Sequence, residues 1–290
     1  MYKIIDGKKT ASEIKSEIAA EISERVRVGK KRPHLAAILV GENPSSITYV
    51  NNKVKDCREV GIDSSLVTLS DQTQEQELLE KIDELNRDEE VDGFIVQLPL
   101  PAHISESKVV EAIDPSKDAD GFHPVNLGKM MIGISGFLPA TPYGIVELLK
   151  RYDIQTSGKS CVIIGRSNIV GRPLSVLLSQ KGIDATVTVV HSKTRDIGRY
   201  LRDADILIAA IGSPGFVKSD MVKEGAVVID VGTTYVASAT SRSGRVLKGD
   251  VDFENVAPKC SYISPVPGGV GPMTRVALLK NTLLAAGMKD

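Results

Sequence analysis

Residues 161–173, CVIIGRSNIVGRP, constrain the fold of this chain more than any other stretch. An apolar, β-branched run meets Gly165, and a helix is expected to begin near Ile169. A buried strand, a glycine turn and a helix start in succession form the end of a βα unit that can receive a dinucleotide's phosphate. Backbone N–H groups of the turn and the positive end of the helix dipole converge on an anion there. The small residues Gly165, Ser167 and Gly171 let that anion come close. The pattern departs from the usual G-x-G-x-x-G, because Ser167 holds the second place and Gly171 falls one residue late. An ordinary tight βα turn is the alternative for this stretch taken alone.

With 290 residues, 42% of them hydrophobic, the chain can bury enough for two domains, and two lobes with a cleft between them are expected. A formal charge of −1 and the absence of Trp leave neither a basic footprint nor a rich stacking platform, so nucleic acid is not expected as a partner. The opening MYKIIDGKK lacks a signal-peptide apolar region, and the longest apolar runs, 35–40 and 206–211, are too short to span a bilayer. A cytoplasmic protein without a membrane partner is the expectation. Cys57, Cys161 and Cys260 form no CxxC, and the four histidines fall in no metal-ligand spacing, so neither a disulfide framework nor a metal site is expected.

Along the first part of the chain, Ala11, Ile14, Ile18, Ile22 and Val26 recur at helical spacing up to Gly29. Residues 35–40 read as a buried strand, after which Ser45 or Ser46 is expected to cap a helix reaching Val60. Its apolar stripe is Val50, Val54 and Cys57, while Tyr49 and Lys53 stand four apart on another face. A strand at 66–69 precedes residues 73–76, which read as the capping box of a helix carrying Leu78, Leu79, Ile82 and Leu85. The strand at 93–97 runs into Leu98, Pro99, Leu100 and Pro101, and proline ends the ladder. Gln97 is thereby left beyond the carboxyl end of a strand, where open parallel sheets bind ligands, although loop backbone could equally satisfy it. A helix at 105–113 leads to KDADGFHP, a loop in which Asp118 and Asp120 read as turn formers. Thr141 and Pro142 offer the N-cap and first position of a helix through Tyr152 that crosses into the second lobe.

In that lobe, strands at 161–164, 185–190, 206–209, 226–231 and 262–264 suit a Rossmann-like sheet. SRSG within 235–248 suggests a hairpin inserted after the fourth strand. PVPGGVGP, at 265–272, is a rigid, glycine-lined loop opening a last helix with Val276, Leu279 and Leu283. The second strand ends in His191, Ser192 and Lys193, without the acidic residue that accepts the ribose hydroxyls of NAD. Arg166, Lys193 and Arg195 can instead meet a phosphate, which favours NADP. A lone surface cation is usually just solvated, but here several basic groups and the missing acid point the same way.

Six ordered motifs carry a resemblance over nearly the whole chain: Tyr49-V-N-N-Lys53, VQLPLP at 96–101, KDADGF at 117–122, GRSNIVGRP at 165–173, HSKT at 191–194 and PVPGGVGPMT at 265–274. On these the chain resembles the bifunctional methylenetetrahydrofolate dehydrogenase/methenyltetrahydrofolate cyclohydrolase family, whose phosphate turn has the shifted GRS-x-x-VG form. The resemblance implies oxidation of 5,10-methylenetetrahydrofolate with NADP, then hydrolysis of the 5,10-methenyl product to 10-formyltetrahydrofolate, in one cleft of a homodimeric enzyme. It implies an α/β fold in two domains: a catalytic, folate-binding domain at 1–142, with the last helix at 272–290 packing back on it, and a Rossmann-like NADP-binding domain at 143–271.

The resemblance also implies residue roles. Lys53 is the catalytic lysine, with Tyr49 and Gln97 as neighbours that also touch substrate, and Asp120 binds the pterin. Gly268, Gly269, Gly271 and Pro272 line the folate side. Gly165, Arg166, Ser167, Ile169 and Gly171, with Ser192, Lys193 and Arg195, hold the cofactor, and Gly232 and Thr234 approach it after the fourth strand. Two rivals are a relative keeping the dehydrogenase alone, against which Lys53, Tyr49 and Gln97 together argue, and a non-enzymatic nucleotide-binding sensor of the same fold. A sensor has no use for the folate-side residues.

Overall fold

Two parallel sheets organise the chain, one in each of two units. The computed structural model describes residues 1–238, 241 and 244–288. One unit, built on a three-stranded sheet, comprises Ser12–Ala140 and Arg275–Asp290; the other, built on a six-stranded sheet, comprises Met1–Ala11 and Thr141–Thr274.

From the N-terminus, β1 (Lys3–Ile4) is followed by α1 (Gly7–Arg27), which buries Ala11, Ile14, Ile18 and Ile22 as their spacing predicts and leaves Val26 exposed in its last turn. β2 (His34–Val40) is buried almost throughout. α2 (Pro44–Val60) is capped by Asn43, not by Ser45 or Ser46: the Asn43 side-chain oxygen accepts the N–H groups of both serines. Pro44 occupies the first helical position, where its missing N–H leaves nothing unsatisfied. Val50, Cys57 and Val60 form the buried face of α2, whereas Val54 is only half-buried.

β3 (Asp63–Leu69) precedes α3 (Glu75–Arg87). The expected capping box is not formed. The cap is Gln74, without a side-chain bond, and Glu75 is engaged instead with the Ser105 N–H and the Lys108 ammonium. β4 (Gly93–Val96), α4 (Glu106–Ala112) and α5 (Pro124–Met131) follow. α5 is too short for helical periodicity to register in sequence, and it is started by Pro124 and by His123, whose Nδ1 accepts the Val125 N–H at 3.1 Å. The sheet order is β3-β2-β4, all parallel. Ala36, Ile38 and Val40 of β2, with Phe94 and Val96 of β4, pack on Leu78, Ile82 and Leu85 of α3.

α6 (Ala140–Arg151) begins one residue before Thr141, so Thr141 lies inside the first turn, where its hydroxyl pairs with that of Thr274 at 3.0 Å. Then come β5 (Ser160–Ile164), α7 (Gly171–Ser179), β6 (Thr186–Val190), α8 (Ile197–Arg202), β7 (Ile206–Ala209) and β8 (Val227–Asp230). α7 starts two residues beyond Ile169. A hairpin of β9 (Thr234–Ala237) and β10 (Arg245–Lys248) pairs antiparallel where it was expected, although Arg242 and Ser243 of its SRSG turn lie outside the described residues. α9 (Phe253–Val256), β11 (Tyr262–Ile263) and α10 (Val270–Gly287) complete the chain, and Lys289 and Asp290 of the 272–290 segment lie outside the described residues.

The six-stranded order is β1-β11-β8-β7-β5-β6, parallel throughout. Five of these strands are the five read from the sequence; the sixth, β1, is added to β11 by the N-terminus. Residues 1–11 therefore group with this sheet and not with the segment up to 142, and the division near the C-terminus falls between Thr274 and Arg275. Among the described residues no helix is long and apolar enough to cross a membrane.

Candidate active site

β2 and β4 are parallel neighbours, with Ile38 opposite Val96, so the residues leaving both strands gather at one carboxyl edge. Gln97 is the first residue past β4, and its N–H donates to Ile38 O at 2.9 Å. Backbone pairing brings a third segment to the same edge. Phe94 N–H donates to Lys117 O at 2.8 Å, Ala119 N–H donates to Phe94 O at 3.3 Å, and Asp118 bridges Phe94 in parallel. KDADGF thus runs beside β4 and carries Asp120 to the strand end.

Asp118 gives this loop its shape. Its buried carboxylate accepts the N–H groups of Gly121 (3.1 Å), Phe122 (3.2 Å) and His123 (2.8 Å) and Nδ2 of Asn126 (2.9 Å). Gly121 has φ of 74°, and a Cβ there would collide with the Leu138 backbone. Asn281 of α10 donates to the carbonyls of Ala119 (2.8 Å) and Leu138 (2.9 Å), holding both sides of the turn.

Lys53 reaches this place from α2. Its side chain is 11% exposed, and Nζ donates to Gln97 Oε1 at 3.2 Å and lies 3.8 Å from Asp120 Oδ1. Gln97 Nε2 donates to Leu98 O at 2.6 Å, which turns the amide oxygen toward the ammonium. Burial raises the Asp120 carboxyl above its ordinary range; Lys53 opposes that rise and the Asp118 charge adds to it. Tyr49, one turn before Lys53, is 40% exposed, and its hydroxyl makes no hydrogen bond among the described residues. The next turn of α2 carries Asp56, which no motif singled out. Its buried carboxylate pairs with Lys15 of α1 at 3.2 Å and with Arg275 of α10, tying the lysine-bearing helix to two others. Burial pushes the thiols of Cys57, Cys161 and Cys260 up to about 12, so none supplies a thiolate near neutrality.

In the six-stranded unit, Gly165 has φ of 118°, and a Cβ there would collide with Ala210 O; one on Gly171 would collide with Gly165 O. The turn after β5, the residue after β7 and the start of α7 are therefore in backbone contact. Ser167 Oγ accepts the N–H groups of Val170 (3.2 Å) and Gly171 (3.4 Å). Arg166, Ser167 and Ile169 are exposed, as are Ser192, Lys193 and Arg195 on the loop after the neighbouring strand β6. That second loop is pinned by the His191 N–H on Thr194 Oγ1 at 3.0 Å and by the Lys193 N–H on His191 Nδ1 at 3.2 Å. Exposed cations on two adjacent loops, without a carboxylate at the end of β6, are a donor set suited to a phosphorylated dinucleotide.

Gly232 follows β8 and Thr234 opens β9; Thr234 Oγ1 donates to Gly212 O at 3.2 Å. Gly268 (φ 108°) accepts the Lys8 N–H at 2.9 Å; a Cβ on Gly7 would collide with Gly269 O, and one on Gly269 with Pro265 O and the Ser264 side chain. Gly271 and Pro272 lie in the first turn of α10, and a Cβ on Gly271 would meet only open space. These four belong to the six-stranded unit, whereas Lys53, Gln97 and Asp120 are brought together within the other.

Comparison with known proteins bears on both units. Residues 5–120 match the catalytic domain of the tetrahydrofolate dehydrogenase/cyclohydrolase family, and residues 139–290 match that family's NAD(P)-binding domain. The bifunctional protein FolD of Flavobacterium johnsoniae is 58% identical over 290 residues, which cover 99% of this chain and 98% of that protein. The bifunctional FolD methylenetetrahydrofolate dehydrogenase/cyclohydrolase of Campylobacter jejuni has a crystal structure that is 47% identical, covers 100% of both chains and superposes with a TM-score of 0.94. The Trypanosoma brucei enzyme, solved with NADP cofactor and inhibitor, is 40% identical, with a TM-score of 0.94 and coverage of 99% of this chain and 98% of that one. With both domains matched and relatives of this identity aligned end to end, the chain belongs to the tetrahydrofolate dehydrogenase/cyclohydrolase family.

Proposed function

We propose that Lys53 carries the proton in the hydrolytic half of a two-step reaction, that Gln97 orients it and that Asp120 holds the pterin. The enzyme oxidises 5,10-methylenetetrahydrofolate to the 5,10-methenyl compound with NADP and hydrolyses that product to 10-formyltetrahydrofolate. The contact of Lys53 Nζ with both Gln97 and Asp120 is the observation that carries the assignment of roles.

The two steps make different demands. Loss of hydride from the methylene carbon is assisted by the lone pairs of the flanking nitrogens, so the first step needs position more than acid or base. Bound NADP supplies the hydride acceptor. Hydrolysis requires water to lose a proton as it attacks the methenyl carbon, and a ring nitrogen to gain one as its bond to that carbon breaks. Lys53 Nζ, held by the Gln97 oxygen, is the group we assign to move that proton. The Asp120 carboxylate matches the parallel N–H donors on the edge of a pterin and binds them by charge-assisted hydrogen bonds. Tyr49, exposed one turn away, is assigned to contact substrate, and Gly268, Gly269, Gly271 and Pro272 are assigned to the folate side.

Toward the cofactor, Gly165, Ser167, Ile169 and Gly171 are assigned to the phosphate turn, Gly232 and Thr234 to the approach after β8, and Arg166, Ser192, Lys193 and Arg195 to the additional phosphate of NADP. We assign the catalytic role to the part of residues 1–142 built on the three-stranded sheet, with the last helix, and the nucleotide role to the six-stranded unit that contains 143–271. The working form is proposed to be a cytoplasmic homodimer; sedimentation at working concentration tests the oligomeric part. Two assays on purified protein test the enzymatic reading: NADPH formation from methylenetetrahydrofolate, and cofactor-free decay of methenyltetrahydrofolate. Activity in the first and none in the second would remove the role proposed for Lys53.

A further inference from the structure

Beyond β8, two buried carboxylates lie side by side. Asp250 accepts the N–H groups of Ile211 (2.7 Å) and Gly212 (3.1 Å) on Oδ2 and that of Ser213 (2.7 Å) on Oδ1. Asp230, the last residue of β8, accepts the N–H groups of Gly232 and Asp250 on Oδ1 and that of Val251 on Oδ2, each at 2.9 Å. Two glycines make room for them: a Cβ on Gly232 would collide with the Asp250 carboxylate, and one on Gly249 with that of Asp230. Six backbone donors thus satisfy the two buried acids.

The loop they hold identifies their purpose. Residues 210–213 leave β7 at the carboxyl edge of the sheet, where ligands of such sheets bind. Ala210 O abuts Gly165 of the phosphate turn, Gly212 takes φ of 67°, and its carbonyl receives the Thr234 hydroxyl. We infer that Asp250, seconded by Asp230, is a positioning residue for the dinucleotide: by gathering three N–H groups it fixes loop 211–213 against the phosphate turn. The inference rests on the NAD(P)-binding role of this unit. It assigns to the hairpin a second task, since the chain returning from β10 delivers Asp250 to the loop.

Asp250→Asn keeps the size of the side chain, but its NH2 group must face at least one of the three N–H donors, so the loop loses its fixed form. The dissociation constants of NADP and of NAD, measured by calorimetry, are expected to rise by a common factor of roughly ten or more, because the loop does not read the additional phosphate. Cofactor-free hydrolysis of methenyltetrahydrofolate is expected to stay close to wild type and reports that the protein is folded. Unchanged NADP affinity in a variant with normal hydrolysis overturns the inference. A wild-type protein that binds neither dinucleotide would instead sink the cofactor reading on which it rests. If Asp250→Asn does not fold, Gly212→Ala strains the same loop at its positive φ while keeping both carboxylates in place of their amides. Weakened binding of both dinucleotides then supports the inference, and unchanged binding overturns it.

Discussion

Lys53 Nζ donates to Gln97 Oε1 at 3.2 Å, a bond that joins the third turn of a helix to a strand end 44 residues away. Because Gln97 also donates to Leu98 O, its amide is held with the oxygen toward the lysine. Gln97→Ala is therefore expected to slow hydrolysis by about tenfold, the worth of one hydrogen bond to a charged group, while the KM for NADP stays unchanged. Equal loss in hydrolysis and dehydrogenation would make Gln97 a substrate contact for both steps.

Asp120→Ala is expected to raise the KM for both folate substrates and to leave NADP affinity untouched, since the groups assigned to NADP belong to the other unit. The pH profile adds a second readout. Burial sets the Asp120 carboxyl above its ordinary range, so the ionised form that binds the pterin is lost on acidification sooner than for an exposed aspartate. The KM for methylenetetrahydrofolate should rise with falling pH in the wild type and do so much less in Asp120→Asn. Matching pH profiles for the two proteins would return Asp120 to the role of a loop former.

Arg166→Ala should weaken NADP by a factor of about ten to a hundred and NAD hardly at all, because a charge-assisted contact to phosphate contributes about 1.5 to 3 kcal/mol. Dissociation constants for both dinucleotides decide it, and an equal loss for the two would contradict the assignment.

Asp230 yields a prediction about stability. Burial pushes its carboxyl up to about 6, the neighbouring Asp250 charge adding to the rise while three backbone N–H groups oppose it. The ordinary value is 3.8, so between these values the folded chain holds a proton that the unfolded chain releases. This group therefore costs stability at neutral pH, and the cost is relieved as pH falls through the folded value. From about pH 7 to about pH 5, wild type should gain about 1 kcal/mol relative to Asp230→Asn in chemical unfolding. A constant gap between the two proteins would show that Asp230 titrates in its ordinary range.

Much of the fold was legible because its signals are local. Ile14, Ile18 and Ile22 mark α1 by spacing, and apolar runs mark β2, β5 and β7. Where the reading missed, the deciding contact was distant, the element too short or the cap on a neighbouring residue. β1 has two residues and exists only because β11 offers an edge. Residues 73–76 have the letters of a capping box, but the helix is capped one residue on, at Gln74, and the Gln76 amide donates to Glu80 instead of turning back. Asn43 is also a local signal, in which the side-chain oxygen takes the N–H groups of the two serines that compete for the cap.

The site was less legible than the fold. Lys53, Gln97 and Asp120 come from three segments with no common spacing, and the pairing of Phe94 with Lys117 and Ala119 that unites two of them uses backbone atoms alone. The strand-end position marks Gln97, and only the resemblance marks Lys53 and Asp120. Asp250 left no mark at all in the sequence, because a carboxylate satisfied by backbone N–H groups has no side-chain partner for a pattern to reveal.

The central claim is that Lys53 moves the proton of hydrolysis, and Lys53→Met tests it most directly, since methionine keeps most of the apolar length and removes the proton carrier. The measurement is the rate of methenyltetrahydrofolate decay without cofactor, set beside NADPH formation from methylenetetrahydrofolate in the same preparation. The account predicts a fall in hydrolysis of about 10² to 10⁴ with dehydrogenation retained at least in part. Hydrolysis at the wild-type rate would contradict it, and loss of both activities in a folded variant would make Lys53 a substrate-positioning group for both steps.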